Sequence, residues 1–167
     1  KKKKKVHKGL YLQYKKFFGK YKDELKKYIE NKKTVDIAGH SKGSALALYF
    51  AQEFPKDVKV NLYLYGTPNL IGNDAFFDMD DNINIYNIAV KDDPISMITN
   101  KNYKKLKRNI VIDDNGIYVK DDNKKSYSIE GYMTMISELN KNVRELFISK
   151  RHSTDTYNKL FKNLINK

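Results

Sequence analysis

Between Tyr14 and Glu30 the apolar residues Tyr14, Phe17, Phe18, Tyr21, Leu25, Tyr28 and Ile29 recur at every third or fourth position, with lysines in the gaps. This spacing predicts an amphipathic helix, ended by Asn31 and the lysines after it. Val6 to Leu12 reads as the end of a strand or as loop. The apolar, β-branched run Thr34 to Ala38 predicts a buried strand, Lys42 to Phe54 a helix rich in small residues, and Val58 to Tyr65 a second strand, with Pro55 and Asp57 in the connection. Together these form a strand, helix, strand unit whose crossover is expected to be right-handed.

Gly66-Thr67-Pro68-Asn69 then marks a turn at the carboxyl edge of the sheet. A short helix is expected around Asn73 to Phe77, and a third strand from Ile83 to Val90. Arg108 to Asp113 and Ile117 to Lys120 flank Asn115-Gly116, a dipeptide suited to a two-residue hairpin turn because both residues tolerate positive φ. Tyr132 to Phe147 has the period of an amphipathic helix. Its methionines read as core packing ahead of an adaptable apolar cover. A last helix is expected from about Thr154 to Leu164, capped by Ser153 or Thr154. The alternation of helical and strand periods predicts an α/β fold, a mostly parallel sheet flanked by helices, with a β-hairpin near the C-terminal third.

The chain has 167 residues, enough for one domain. Residues 1–5 are expected to be a basic, solvated tail and 6–167 a single domain. Cysteine is absent, which excludes disulfides, thiolate metal sites and a cysteine nucleophile. No metal or cofactor is implied. No apolar run is long enough to span a bilayer and the opening lysine run lacks the core of a secretory signal, so the chain reads as soluble, with its compartment open.

A formal charge of +13 points toward polyanions. Arg108, Arg144 and Arg151 are its only arginines, however, and the lysines are scattered along the chain. Specific nucleic-acid recognition prefers arginine forks and is disfavoured; attraction to an anionic membrane surface needs charge and little geometry, and fits better.

The most informative chemistry lies in Gly39-His40-Ser41-Lys42-Gly43, between the first predicted strand and the helix after it. G-x-S-x-G in this context is a nucleophile elbow, with Gly39 and Gly43 read as the small residues the bend requires. Such a turn lifts the Ser41 hydroxyl above the sheet and sets the Lys42 backbone N–H at a helix start, where it can stabilise an oxyanion. A carboxylate follows the third strand at Asp92-Asp93, and a histidine, His152, precedes the last helix. Serine, acid, histidine is the order found in α/β-hydrolases. The serine needs an imidazole to take its proton, and the imidazole needs a carboxylate to fix its tautomer.

Asp93, before Pro94, is preferred over Asp92 as the acid. His40 is expected to pack beside the turn and His7 to be structural. Asp155 and Asp36 are expected to be a first-turn helix acid and a strand-edge residue.

Several segments in order resemble the signatures of class 3 lipases: Val6-His7-Lys8-Gly9-Leu10, Asp36 through Ala47, Tyr65-Gly66-Thr67-Pro68-Asn69-Leu70-Ile71-Gly72-Asn73, Asp93-Pro94-Ile95 and His152. The resemblance implies an α/β-hydrolase fold and metal-free hydrolysis of a lipid or other carboxylic ester through an acyl-serine. It implies Ser41 as nucleophile, Asp93 as orienter and His152 as base and acid. In such lipases a small residue, glycine, usually stands where Ser44 is and an apolar one where Lys42 is. They also carry a segment before the Val-His-x-Gly motif that supplies early strands, a second oxyanion donor and usually a lid, where this chain has only Lys1 to Lys5. The alternative is a weakly active or silent hydrolase-fold module that binds lipid or anionic surfaces.

Overall fold

The computed structural model describes residues 4–69, 71–73, 76, 81–99, 106, 109–113, 116–120, 127–128 and 152–165. Helix α1 spans Lys8–Ile29, strand β1 Thr34–His40, helix α2 Lys42–Ala51, strand β2 Lys59–Tyr65 and strand β3 Ile83–Val90. They are followed by the short helix α3 (Pro94–Met97), β4 (Ile98–Thr99), β5 (Asn109–Asp113), β6 (Gly116–Lys120), β7 (Tyr127–Ser128) and helix α4 (Thr154–Ile165). The main sheet has the order β1-β2-β3-β5-β6, and β4 pairs with β7 separately. β1, β2, β3 and β5 run parallel, while β6 returns antiparallel to β5.

In-register pairing of Val35 with Val60 and of Leu62 with Ile85 brings one apolar face of the sheet together. Val60, Leu62 and Leu64 are fully buried there beneath Ala45 and Leu48 of α2 and Tyr14 of α1. Tyr14 packs its ring on Phe18 and Tyr49 and donates its hydroxyl to Glu53 at 2.8 Å. The opposite face carries Ile88, Val90 and Ile112, which Tyr157 and Leu160 of α4 cover. Helices on both faces satisfy a parallel sheet, which exposes apolar residues on each side. Among the described residues no helix is long and apolar enough to cross a membrane.

Several boundaries differ from the sequence pattern for local reasons. α1 begins at Lys8, inside the stretch read as strand or loop, because the His7 ring caps it: Nδ1 accepts the Leu10 N–H at 3.3 Å. α2 stops at Ala51. Beyond it Glu53 and Phe54 donate to carbonyls three residues back, a tightening that ends the helix before Pro55. Asp113 pairs with Gly116, so this glycine belongs to β6 and not to the turn. Lys4 and Lys5, placed by the sequence in a solvated tail, are held by Gln52 and Asn73, and Val6 bridges Gly72. The expected helix over Tyr132 to Phe147 lies outside the described residues, as does most of the one around Asn73 to Phe77.

Candidate active site

β1 ends at His40, and the next residue closes the ladder: the Ser41 N–H donates to the Tyr65 carbonyl at 2.8 Å. Ser41 then turns with φ 55° and ψ −120°, a conformation L-residues rarely adopt and one that costs on the order of 1–3 kcal/mol. Its immediate neighbour Lys42 starts α2, so the first amide of that helix points out of the bend. The glycine at 39 is obligatory, since a Cβ there would lie 2.6 Å from the Gly43 carbonyl oxygen. Gly43 is different. A Cβ on it would meet nothing within 4 Å, so the sequence reading that both flanking glycines are forced holds only for the first. Ser44 takes part in holding the turn: its buried hydroxyl donates to the Gly39 carbonyl at 2.9 Å and lies 3.3 Å from the Tyr65 carbonyl.

Asp93 follows β3 by a short turn in which its N–H donates to the Val90 carbonyl at 3.0 Å. Asp92 takes the strained position, φ 61°, and faces solvent, which leaves Asp93 fully buried. The Asp93 carboxylate accepts the Ile95 N–H at 2.9 Å, and its backbone carbonyl accepts the Ser96 hydroxyl at 3.0 Å. The Asn69 amide, from the turn after β2, grips the Ser96 carbonyl at 2.6 Å and braces the same corner.

His152 reaches this carboxylate from just before α4, with Nδ1 donating to Oδ1 at 2.9 Å and to Oδ2 at 3.0 Å. A carboxylate can only accept, so the proton sits on Nδ1 and Nε2 carries the basic lone pair. That Nε2 is buried and has no hydrogen-bond partner among the described residues. The structure thus joins Asp93 to His152 and sets Ser41 at the same carboxyl edge, through Tyr65 and Gly66. It shows no hydrogen bond between Ser41 and His152. Such contacts are often open in a site without substrate.

Four further residues shape the site in roles that the sequence reading did not assign. Gly66, with φ 57°, leaves the space that the Asp93–His152 pair fills. Ser44 pins the elbow. Tyr157 donates its hydroxyl to Asp93 Oδ2 at 2.7 Å and accepts the Val90 N–H at 3.1 Å. His40, expected only to pack beside the turn, stacks on His152 with ring centroids 4.7 Å apart and its Nε2 donates to the His152 carbonyl at 2.7 Å. Burial, then the neighbouring His152, pushes the His40 pKa down, so its ring is held neutral. In the sequence Gly66 showed as part of a Gly-Thr-Pro turn, Ser44 as a departure from the usual glycine and His40 as a neighbour of the bend, whereas Tyr157 left no signal. The remaining candidates have ordinary roles: His7 caps α1, Asp36 accepts the Asn61 amide at 2.7 Å and Asp155 sits in the first turn of α4.

Residues 1–103 match the family model described as lipase (class 3). The chain belongs to the class 3 lipase family. That family match takes in the elbow and Asp93 but ends before His152, which the fold alone brings to the acid. Among solved structures, a lipase from Rhizopus microsporus var. chinensis is similar at 24% identity and TM-score 0.57, over 79% of this chain and 54% of that one. A mutant of MDLA from Penicillium cyclopium is similar at 19% identity and TM-score 0.50, over 74% of this chain and 52% of that one. This class 3 lipase chain therefore shares their α/β-hydrolase-like fold and spans about half their length. No curated protein matches it.

Proposed function

We propose that this chain carries the catalytic residues of a serine hydrolase that cleaves carboxylic esters of lipids. Ser41 is the nucleophile, His152 the general base and acid, Asp93 the orienter, and the Lys42 backbone N–H an oxyanion donor. The observation that supports this most is a half-buried imidazole whose Nδ1 is fixed by a fully buried carboxylate while its enclosed Nε2 stands unpartnered among the described residues, at the edge where the elbow serine emerges.

Ser41 Oγ attacks the ester carbonyl carbon as its proton passes to His152 Nε2, and the oxygen of the tetrahedral intermediate takes its negative charge toward the Lys42 amide. Collapse breaks the ester C–O bond, and the alcohol leaves with the proton from Nε2. Water then attacks the acyl-serine, His152 accepts its proton, and the carboxylic acid departs as Ser41 recovers its hydrogen. Asp93 keeps the imidazole in the productive tautomer throughout and stabilises its charged form.

The hydrolysis of an ester series from short to long acyl chains, with wild type beside Ser41→Ala, tests this and defines the chain-length range. Loss of hydrolysis and of labelling by a serine-directed phosphonate is the expected result for Ser41→Ala. Labelling that persists in the variant would exclude Ser41. A silent wild type would favour the binding-module alternative.

The outer side of α1 supports attraction to an anionic membrane surface. Lys8, Lys15, Lys16, Lys20, Lys22, Lys26 and Lys27 are all exposed on it, together with Leu12 and Phe17. Each lysine near a negative bilayer contributes about 1 kcal/mol. Co-sedimentation with phosphatidylserine-containing vesicles that falls steeply with salt is expected; equal binding to zwitterionic vesicles would remove the electrostatic reading.

A further inference from the structure

The hydroxyl of Tyr157 is held between the backbone at the end of β3 and the Asp93 carboxylate. Its oxygen accepts the Val90 N–H at 3.1 Å, at the end of β3, which orients the remaining O–H bond toward Asp93 Oδ2, 2.7 Å away. Tyr157 is itself buried, and burial followed by the adjacent Asp93 charge pushes its pKa far up, so it stays a neutral donor wherever the protein is folded. Oδ2 also receives His152 Nδ1, whereas Oδ1 receives His152 Nδ1 and the Ile95 N–H. Every hydrogen bond to this carboxylate withdraws charge that would otherwise stabilise a protonated His152.

We propose that Tyr157 is a positioning residue for the site: it locks the Asp93 carboxylate against the end of β3 and moderates its charge, and thereby sets both the aim and the basicity of His152 Nε2. The inference rests on the hydrolase reading above for its catalytic meaning, but its physical content, coupling of Tyr157 to His152 through Asp93, stands separately. Other titratable groups face the pair. His40 from β1 stacks on His152 and meets Tyr157 edge-on at 5.6 Å, and Tyr65 from β2 meets Tyr157 at 6.0 Å. Neither donates to Asp93, so among the described side chains Tyr157 and His152 alone hold Oδ2.

Tyr157→Phe keeps the ring and its packing and removes only the hydroxyl. Asp93 then carries more charge toward His152, the imidazolium is favoured, and the pH midpoint at which Nε2 becomes a free base rises. Loss of a hydrogen bond to a charged group also loosens the carboxylate, with a fall in reaction rate of about tenfold or more. A ring that served only to fill the core would leave the pH midpoint where it was.

The test is carried out on the full chain, as wild type, Ser41→Ala and Tyr157→Phe. The rate of phosphonate labelling is followed across pH, and the His152 ring nitrogens are titrated by NMR. The expected result is slower labelling in Tyr157→Phe, with both the labelling midpoint and the His152 titration displaced to higher pH. An unchanged His152 titration in folded Tyr157→Phe overturns the inference, whatever the labelling does. Absence of labelling in wild type defeats the hydrolase reading instead, and the NMR titration still decides the coupling. Should Tyr157→Phe fail to fold, the wild-type Tyr157 hydroxyl proton decides: it must shift as His152 titrates, and a resonance indifferent to that titration overturns the proposal.

Discussion

Gly66 lies so close to the His152 imidazole that a Cβ on it would stand 2.8 Å from Cε1 and 3.0 Å from Nδ1, as well as 2.8 Å from Asp93 Oδ2. The glycine at the end of β2 is therefore the wall against which the acid and base are set. It also has φ 57°, a conformation that glycine adopts without the strain a Cβ would bring.

Gly66→Ala is expected to leave a folded protein, destabilised by about 1–2 kcal/mol from the positive φ, with the Asp93–His152 pair displaced. A displacement on the order of 1 Å at reacting groups costs roughly a hundredfold in rate. Ester hydrolysis and thermal unfolding of the same preparation check this; full activity in Gly66→Ala would show that the pair moves aside freely.

The two glycines of the elbow are expected to behave oppositely. Gly39→Ala places a Cβ 2.6 Å from a backbone oxygen that cannot rotate away, so the turn must open and phosphonate labelling of Ser41 must be lost. Gly43→Ala meets no atom and sits in α2, where alanine is better than glycine by about 0.5–1 kcal/mol. A raised melting temperature with labelling retained is the expected outcome. Equal damage from both substitutions would mean that the turn needs Gly43 for a reason other than space.

Ser44 stands where glycine is usual in similar lipases, and here it does what glycine cannot. Ser44→Gly removes a buried hydroxyl that bonds Gly39 and approaches Tyr65, and the expected loss is roughly 1–2 kcal/mol by denaturant titration, including the flexibility of a second glycine. A change smaller than a few tenths would show that water replaces the hydroxyl.

The neutral His40 makes stability depend on pH in a defined direction. Its folded pKa is lowered, chiefly by burial, below the ordinary value of about 6.5, so on acidification the unfolded chain takes up the proton first. Stability from this group is complete above about pH 6.5 and declines as pH falls from there toward the lower folded pKa. His40→Gln is expected to flatten the pH dependence of the melting temperature over that interval. An identical slope in wild type and variant would place the titration elsewhere.

How much of this was legible beforehand varied with the range of the interaction. The helix from Tyr14 onward, strands β1 to β3, the β5–β6 pair and the elbow all announced themselves through local period or turn chemistry. The start of α1 did not, because its cap is a histidine rather than one of the usual hydroxyl or acid residues. Preference for Asp93 over Asp92 rested on Pro94 alone, and burial now gives the stronger reason: one side chain is enclosed and the other faces water.

Sequence by itself determined the order of strands and helices, the tight bend at Ser41 and the types of residue available for acyl chemistry. These depend on backbone sterics and side-chain period within a few residues. Only the tertiary structure decided that Tyr157 and His40 brace the Asp93–His152 pair, and that Gly66 clears its space. Those contacts join β1, the ends of β2 and β3, and α4, positions 64 to 112 residues apart for Tyr157–Asp93 and His40–His152, and no local pattern encodes which buried ring meets which carboxylate.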